Sequence, residues 1–236
     1  MTEVVKYIAF LSPPEPPEGH AIRNTCYLCG SNTDLSIDHV IPKVLFKPST
    51  TNNYIKLWAC KKCNKLKGKE DEYITRCLQS TSFIETAKKG FAGAVRGFVN
   101  GHGIGIGRGI LDNISKCEIE TKHGKFSEVL KLDKNRFNDY LKIIAKGLIV
   151  RNTLELYDWE EYEFHCGIDQ AILDMKLRDE EPFKTIWEKA KLGEYWQHIF
   201  TYRGEVIGSK MIWVMCFYSS FFASVGINKK SINKSQ

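Results

Sequence analysis

Two cysteine pairs of identical spacing, Cys26-Tyr-Leu-Cys29 and Cys60-Lys-Lys-Cys63, stand thirty residues apart in a chain of 236. Each pair is spaced to form a knuckle, and a tetrahedral thiolate-bound ion can close the intervening segment into one loop. Two such pairs favour a metal over a redox disulfide where thiols are kept reduced. A site with four protein sulfurs has no open coordination position, so this metal, zinc by its ligand set, should hold shape and not activate water. The remaining cysteines, Cys77, Cys117, Cys166 and Cys216, stand singly and read as small buried hydrophobes.

The region around the pairs carries an unusual charge distribution. From His39 to Lys69 there are eight lysines and no acid, whereas Thr153–Glu188 holds eleven acids against three bases, under a net charge of only +6. A local cluster of that size suits a polyphosphate partner better than the modest overall charge suggests. The bland alternative is a solvated lysine-rich face.

Local patterning divides the chain into four parts. Residues 1–19 hold a short N-terminal element and the arm Ser12-Pro13-Pro14-Glu15-Pro16-Pro17, where four prolines exclude helix and central strand. Residues 20–80 form the cysteine module: a knuckle ending Cys29-Gly30, a strand over Leu35–Val40, an irregular loop, a strand over Tyr54–Ala59 and a helix from near Lys61. In that strand Leu35 and Ile37 alternate with Ser36 and Asp38, and Leu66, Ile74, Cys77 and Leu78 share helical intervals. Residues 81–116 read as a glycine-containing helical connector; the glycines over Lys89–Arg108 lack the strand and the closing Lys-Ser/Thr of a phosphate-binding loop, which makes a flexible connector or loop the expectation there. Residues 117–236 read as a mixed α+β domain. A hairpin is expected over Cys117–Thr121 and Phe126–Leu132, and an amphipathic helix over Asn135–Val150 capped by Asp133. Shorter helices follow around Asp169–Leu177 and Phe183–Ala190, and aromatic strands over Tyr195–Tyr202 and Lys210–Ser224. Met211–Ile227 is seventeen residues without charge, but its serines, aromatics and β-branched residues point to buried strands and not to a membrane span. The acidic start Met1-Thr2-Glu3 and the short apolar stretch Tyr7–Leu11 do not make a secretory signal, and cytoplasmic residence is the expectation.

Within the module, Cys26-x2-Cys29, Asp38-His39-Val40-Ile41-Pro42, Asn52-Asn53, and Ala59-Cys60-x2-Cys63-Asn64-x2-Lys67 occur together and in order. This pattern resembles the HNH endonucleases in their zinc-containing ββα-metal form. The second half is similar to uncharacterised bacterial proteins carrying this module, at His123-Gly124, Lys146-Gly147-Leu148, and Trp213 with Phe217-Tyr218, a likeness that implies no activity of its own. The fold expected is therefore α+β: a zinc-stapled ββα-metal module followed by a mixed α+β domain.

The HNH resemblance implies a set of roles. His39 would be the general base, and Asp38 and Asn64 would ligate one divalent ion through oxygen, which suits Mg²⁺ or Mn²⁺. Asn53, or Asn52 beside it, would orient the histidine. Many relatives carry a second histidine where this chain has Asn64, and an amide oxygen there shifts metal preference toward hard ions. Lys43, Lys61, Lys62, Lys65 and Lys67 would bind the backbone of DNA, with RNA a further substrate class. A double-strand cut would need two copies of the site, which makes a homodimer one expectation. Two other functions share part of this signature: a non-catalytic zinc finger that binds nucleic acid or protein, for which Asp38, His39 and Asn64 have no reason to converge, and a zinc-stabilised redox sensor, which has no need of His39.

Overall fold

A computed structural model describes residues 19–47, 54–82, 85–100, 114–121, 124–130, 133–168, 192–196, 199–207, 210–218 and 221–230. The cysteine module forms as two strands and a helix. Strand β1 (Leu35–His39) pairs antiparallel with β2 (Lys56–Cys60), with Leu35 opposite Cys60 and His39 opposite Lys56. A one-turn helix α1 (Lys43–Phe46) lies between them in sequence, and α2 (Lys61–Thr81) begins immediately after β2. Cys60 is at once the last residue of β2 and the N-cap of α2, its sulfur accepting the Cys63 amide at 3.5 Å. The chain therefore turns from strand to helix at a cysteine, with no loop between.

Helix α3 (Glu85–Val99) lies within the stretch expected as a helical connector. Its glycines cost helix propensity, yet Gly90 has a packing reason: a Cβ there would lie 2.4 Å from Gln79 Nε2 and 2.9 Å from the Lys47 carbonyl. The connection after it, from residue 101 to 113, lies outside the described residues. The expected hairpin forms as β3 (Ile114–Thr121) and β4 (Gly124–Leu130), with a register shift between Lys116 and Ile119.

The expected amphipathic helix is α4 (Lys134–Thr153), capped by Asp133, whose carboxylate accepts the Arg136 amide at 3.1 Å. A five-stranded antiparallel sheet follows in the order β5-β9-β8-β7-β6: β5 (Tyr162–Ile168), β6 (Leu192–Trp196), β7 (Phe200–Ile207), β8 (Lys210–Phe217) and β9 (Phe221–Lys229). The expected aromatic stretch Tyr195–Tyr202 covers the end of β6 and the start of β7, and Lys210–Ser224 covers β8 and the start of β9. The uncharged segment Met211–Ile227 is the β8–β9 hairpin, broken at Tyr218, which takes a left-handed φ of 51°. No helix among the described residues is long and apolar enough to cross a membrane. Strand β5 was not anticipated, although Tyr162, Phe164 and Cys166 alternate with Glu163 and His165; its acidic surroundings masked the period. The helices expected between residues 169 and 190 lie outside the described residues.

Helix α4 is buried on more than one face because it has a neighbour on each side. Toward the sheet, Phe137 packs on Phe221 with ring centroids 5.0 Å apart, and Asn152 donates to the Tyr202 hydroxyl at 3.1 Å. Toward the cysteine module, Arg136 bonds Glu70 and stacks over the Tyr73 ring at 3.6 Å. Beyond the helix, the Trp159 indole donates to the Tyr27 carbonyl at 2.7 Å, inside the first knuckle. The Tyr218 hydroxyl donates to the Leu45 carbonyl at 2.7 Å and accepts from Gln79 at 3.0 Å, so a turn of the sheet is fastened to α1 and α2.

Helix α4 comes close to the module at Gly147, where an added Cβ would stand 2.5 Å from Val40 Cγ1 and 3.1 Å from the Tyr27 ring. Gly147→Ala is therefore expected to lower the unfolding free energy by about 1–3 kcal/mol through overpacking, despite a gain of about 1 kcal/mol in helix propensity. Combining it with Val40→Ala should recover part of that loss, read as a coupling energy from urea denaturation of the two single variants and the double variant.

Candidate metal centre and adjoining polar site

The four predicted sulfurs converge. Cys26, Cys29, Cys60 and Cys63 present ligand atoms that all lie within 4.8 Å of one another, and Cys29 Sγ is 3.8 Å from Cys60 Sγ. A tetrahedral ion with metal–sulfur bonds of about 2.3 Å sets its sulfurs about 3.8 Å apart, so the cluster fits zinc. Local backbone geometry builds each half. In the first knuckle the Cys26 amide donates to Ser31 at 2.7 Å, and Gly30, at φ +74°, returns its amide to the Cys26 carbonyl at 2.9 Å. The Tyr27 amide donates to the Trp58 carbonyl at 3.0 Å, which lays the knuckle against β2. Burial raises the Cys26 and Cys63 thiols, and at Cys63 the neighbouring sulfurs add to it; the Cys63 amide lowers Cys60. A divalent cation among them would favour the thiolate at all four.

Beside this cluster the strand β1 inverts the expected alternation. Ile37 is 51% exposed and Asp38 only 3%. The same inversion occurs on α2, where Leu66 is 56% exposed and Lys67 is fully buried. The two inward-turned charges meet: Lys67 Nζ lies 3.5 Å from Asp38 Oδ1. Lys67 also donates to the His39 carbonyl at 2.8 Å and to both carboxylate oxygens of Asp71, at 2.9 and 2.8 Å. Asp38 Oδ2 accepts the Tyr27 hydroxyl at 2.7 Å, and Asp71 accepts that of Tyr140 on α4. Burying charge is tolerated here because each charged group has an opposite charge and hydrogen bonds. Burial still pushes the Asp71 carboxyl up to about 6, against the opposing pull of Lys67.

Asn64 lies one turn before Lys67 on the same helix. Its side-chain nitrogen donates to Ser36 Oγ at 3.0 Å and to the Ile37 carbonyl at 3.2 Å, so the amide is seated against β1 beside Asp38. His39 ends β1 with its ring edge-on to Tyr54 at 5.4 Å, and Lys43 sits over that tyrosine at 5.6 Å. Burial, then the charge of Lys43, lowers the imidazole to about 4, with Asp38 opposing. The ring is therefore neutral near pH 7, the form a proton acceptor needs. Its Nε2 is buried with no hydrogen-bond partner among the described residues. Asn52 and Asn53 lie outside the described residues.

Of the lysines expected to meet a nucleic-acid backbone, Lys43, Lys61, Lys62 and Lys65 are exposed, together with Lys47, Lys56 and Lys69. Lys67 is not; its ammonium is committed inside the module. Tyr27, Asp71 and Tyr140 were not singled out from sequence. Asp71 stands four residues after Lys67, an ion-pair spacing on a helix, and that signal was available. Tyr140 had none, since nothing in the sequence pairs it with an acid sixty-nine positions away.

Residues 26–70 match the family model of the HNH endonucleases. The matched segment spans the sulfur cluster, both strands and the first half of α2, so an HNH module of nuclease type, with a cysteine cluster fit for zinc, occupies this part of the chain. No curated protein and no solved structure gave a match to the chain.

Two outcomes follow from the geometry. Purified protein should carry one zinc per chain by elemental mass spectrometry; Cys29→Ser should lose it and lower the far-UV helical signal as α2 frays from its first turn. Lys67→Met, which leaves two buried carboxylates without their cation, should cost about 3–5 kcal/mol in chemical denaturation, whereas Lys62→Ala should stay within about 0.5 kcal/mol.

Proposed function

We infer that this protein is a metal-dependent HNH endonuclease that hydrolyses phosphodiester bonds in DNA, with the zinc structural and the chemistry beside it. The observation that supports this most is the half-buried His39 at the end of β1, next to Asp38 in the strand, with its carbonyl held by Lys67 of the helix that also seats Asn64 against β1. In this reading the His39 imidazole takes the proton of the attacking water, and Asn53, with Asn52 as alternative, orients the ring. A ring nitrogen without a partner among the described residues is the kind of atom such an amide would bond.

Asp38 and Asn64 would hold a divalent ion, Mg²⁺ or Mn²⁺ by the hardness of a carboxylate and an amide oxygen. When bound, that ion would stabilise negative charge on the scissile phosphate and the leaving oxygen. The fit has one condition. Asp38 already accepts from Tyr27 and faces Lys67, so it would ligate through the lone pairs that these contacts leave. Lys43, Lys61, Lys62 and Lys65, exposed around the module, would neutralise backbone phosphates. Cytoplasmic residence, a homodimer for double-strand cuts, and a supporting role for residues 117–236 belong to the same proposal.

Incubated with supercoiled plasmid and Mg²⁺ or Mn²⁺, the wild-type chain should nick DNA. His39→Ala should reduce nicking by at least about a thousandfold, in the upper range for loss of a general base, with zinc content and helical signal unchanged. Salt-sensitive plasmid binding by the wild type without strand breaks would instead identify a non-catalytic zinc finger.

A further inference from the structure

The chain Tyr27–Asp38–Lys67–Asp71–Tyr140 joins the first knuckle, β1, α2 and α4 through one continuous set of polar contacts. It encloses two carboxylates and one ammonium, leaving one negative charge unmatched. The ammonium is not shared equally. It lies 2.8 and 2.9 Å from the two oxygens of Asp71 but 3.5 Å from Asp38. Asp71 thus holds Lys67 in a two-oxygen grip and draws it from Asp38, whose other oxygen is fixed by the Tyr27 hydroxyl. A full ion pair between Lys67 and Asp38 would set an ammonium where a ligating carboxylate needs a divalent ion.

We propose that Asp71, backed by Tyr140 on α4, is a positioning residue for the metal-binding carboxylate: it holds Lys67 back and keeps Asp38 available to a divalent cation. This rests on the nuclease reading for the identity of Asp38 as a ligand and adds that the C-terminal part of the chain tunes the metal affinity of the module. The groups facing the pair come from every packed element: Tyr27 from the knuckle, the His39 carbonyl from β1, Asp71 from α2 and Tyr140 from α4. Asp71 is the one of these that bonds Lys67 with two carboxylate oxygens, and Tyr140 acts through Asp71.

The test is direct Mn²⁺ binding to the full zinc-loaded chain without DNA, read from the electron paramagnetic resonance signal of free Mn²⁺. Wild type should bind one Mn²⁺ beyond the zinc. Asp71→Asn removes the competing charge, releases Lys67 to Asp38, and should weaken Mn²⁺ binding by about tenfold, a fraction of what one unit charge at such a distance can exert. Tyr140→Phe keeps the buried ring and removes only the hydroxyl; it should shift affinity in the same direction by less and serves if Asp71→Asn does not fold. Zinc content and helical signal should match wild type in both. Unchanged Mn²⁺ affinity in folded Asp71→Asn or Tyr140→Phe overturns the proposal and leaves the nuclease reading intact, even if melting temperature falls. Mn²⁺ binding that responds as expected in a chain that never nicks DNA keeps the proposal and overturns the nuclease reading. Failure of wild type to bind Mn²⁺ overturns both.

Discussion

The contact on which the rest depends is that of Lys67 with two carboxylates and the His39 carbonyl. An ammonium with no solvent exposure is stable only while its partners stay in place. The contact therefore fixes the distance and register between β1 and α2 at the point where the catalytic residues of an HNH module would lie. Its partners also explain why Ile37 faces solvent, since on a strand the neighbour of an inward Asp38 must turn out; on α2, Leu66 is exposed beside the buried Lys67.

The four-cysteine cluster, fit for zinc, does a different part of the same work. It ties the first knuckle to the start of α2, some distance along the helix from Lys67, and brings the Tyr27 hydroxyl to Asp38. One clamp sets where the helix begins, and the other sets how its inner face meets the strand. Helix α4 then closes both, with Gly147 against Val40 and Tyr27, and Tyr140 on Asp71. This gives the C-terminal half a physical connection to the module that a tethered, independent domain would lack.

Much of this was legible in the sequence, for identifiable reasons. The cysteine spacings, the hairpin and α4 are local patterns, and local patterns survive into the fold. The burial of Lys67 was not legible, because a lysine in a lysine-rich run reads as exposed unless its partners are known, and Asp38 is twenty-nine positions away. The side of β1 that faces inward was misjudged for the same cause: alternation gives the period, whereas the phase was set by an ion pair. The need for Gly90 in helix α3 comes from the close approach of Gln79 and the Lys47 carbonyl, a tertiary fact. The break of one long apolar stretch at Tyr218 depends on that tyrosine reaching Leu45 and Gln79 in another layer.

The central claim is that the structural zinc and the catalytic ion are two sites a short way apart, with His39 beside the second. Crystals of the zinc-loaded protein grown with Mn²⁺ and a short DNA duplex would test it most directly, using anomalous scattering at the zinc and manganese edges. The account predicts zinc among the four cysteines and manganese against Asp38 and Asn64, with His39 facing the scissile phosphate. Zinc among the cysteines with no manganese near Asp38, and DNA bound elsewhere on the chain, would contradict it.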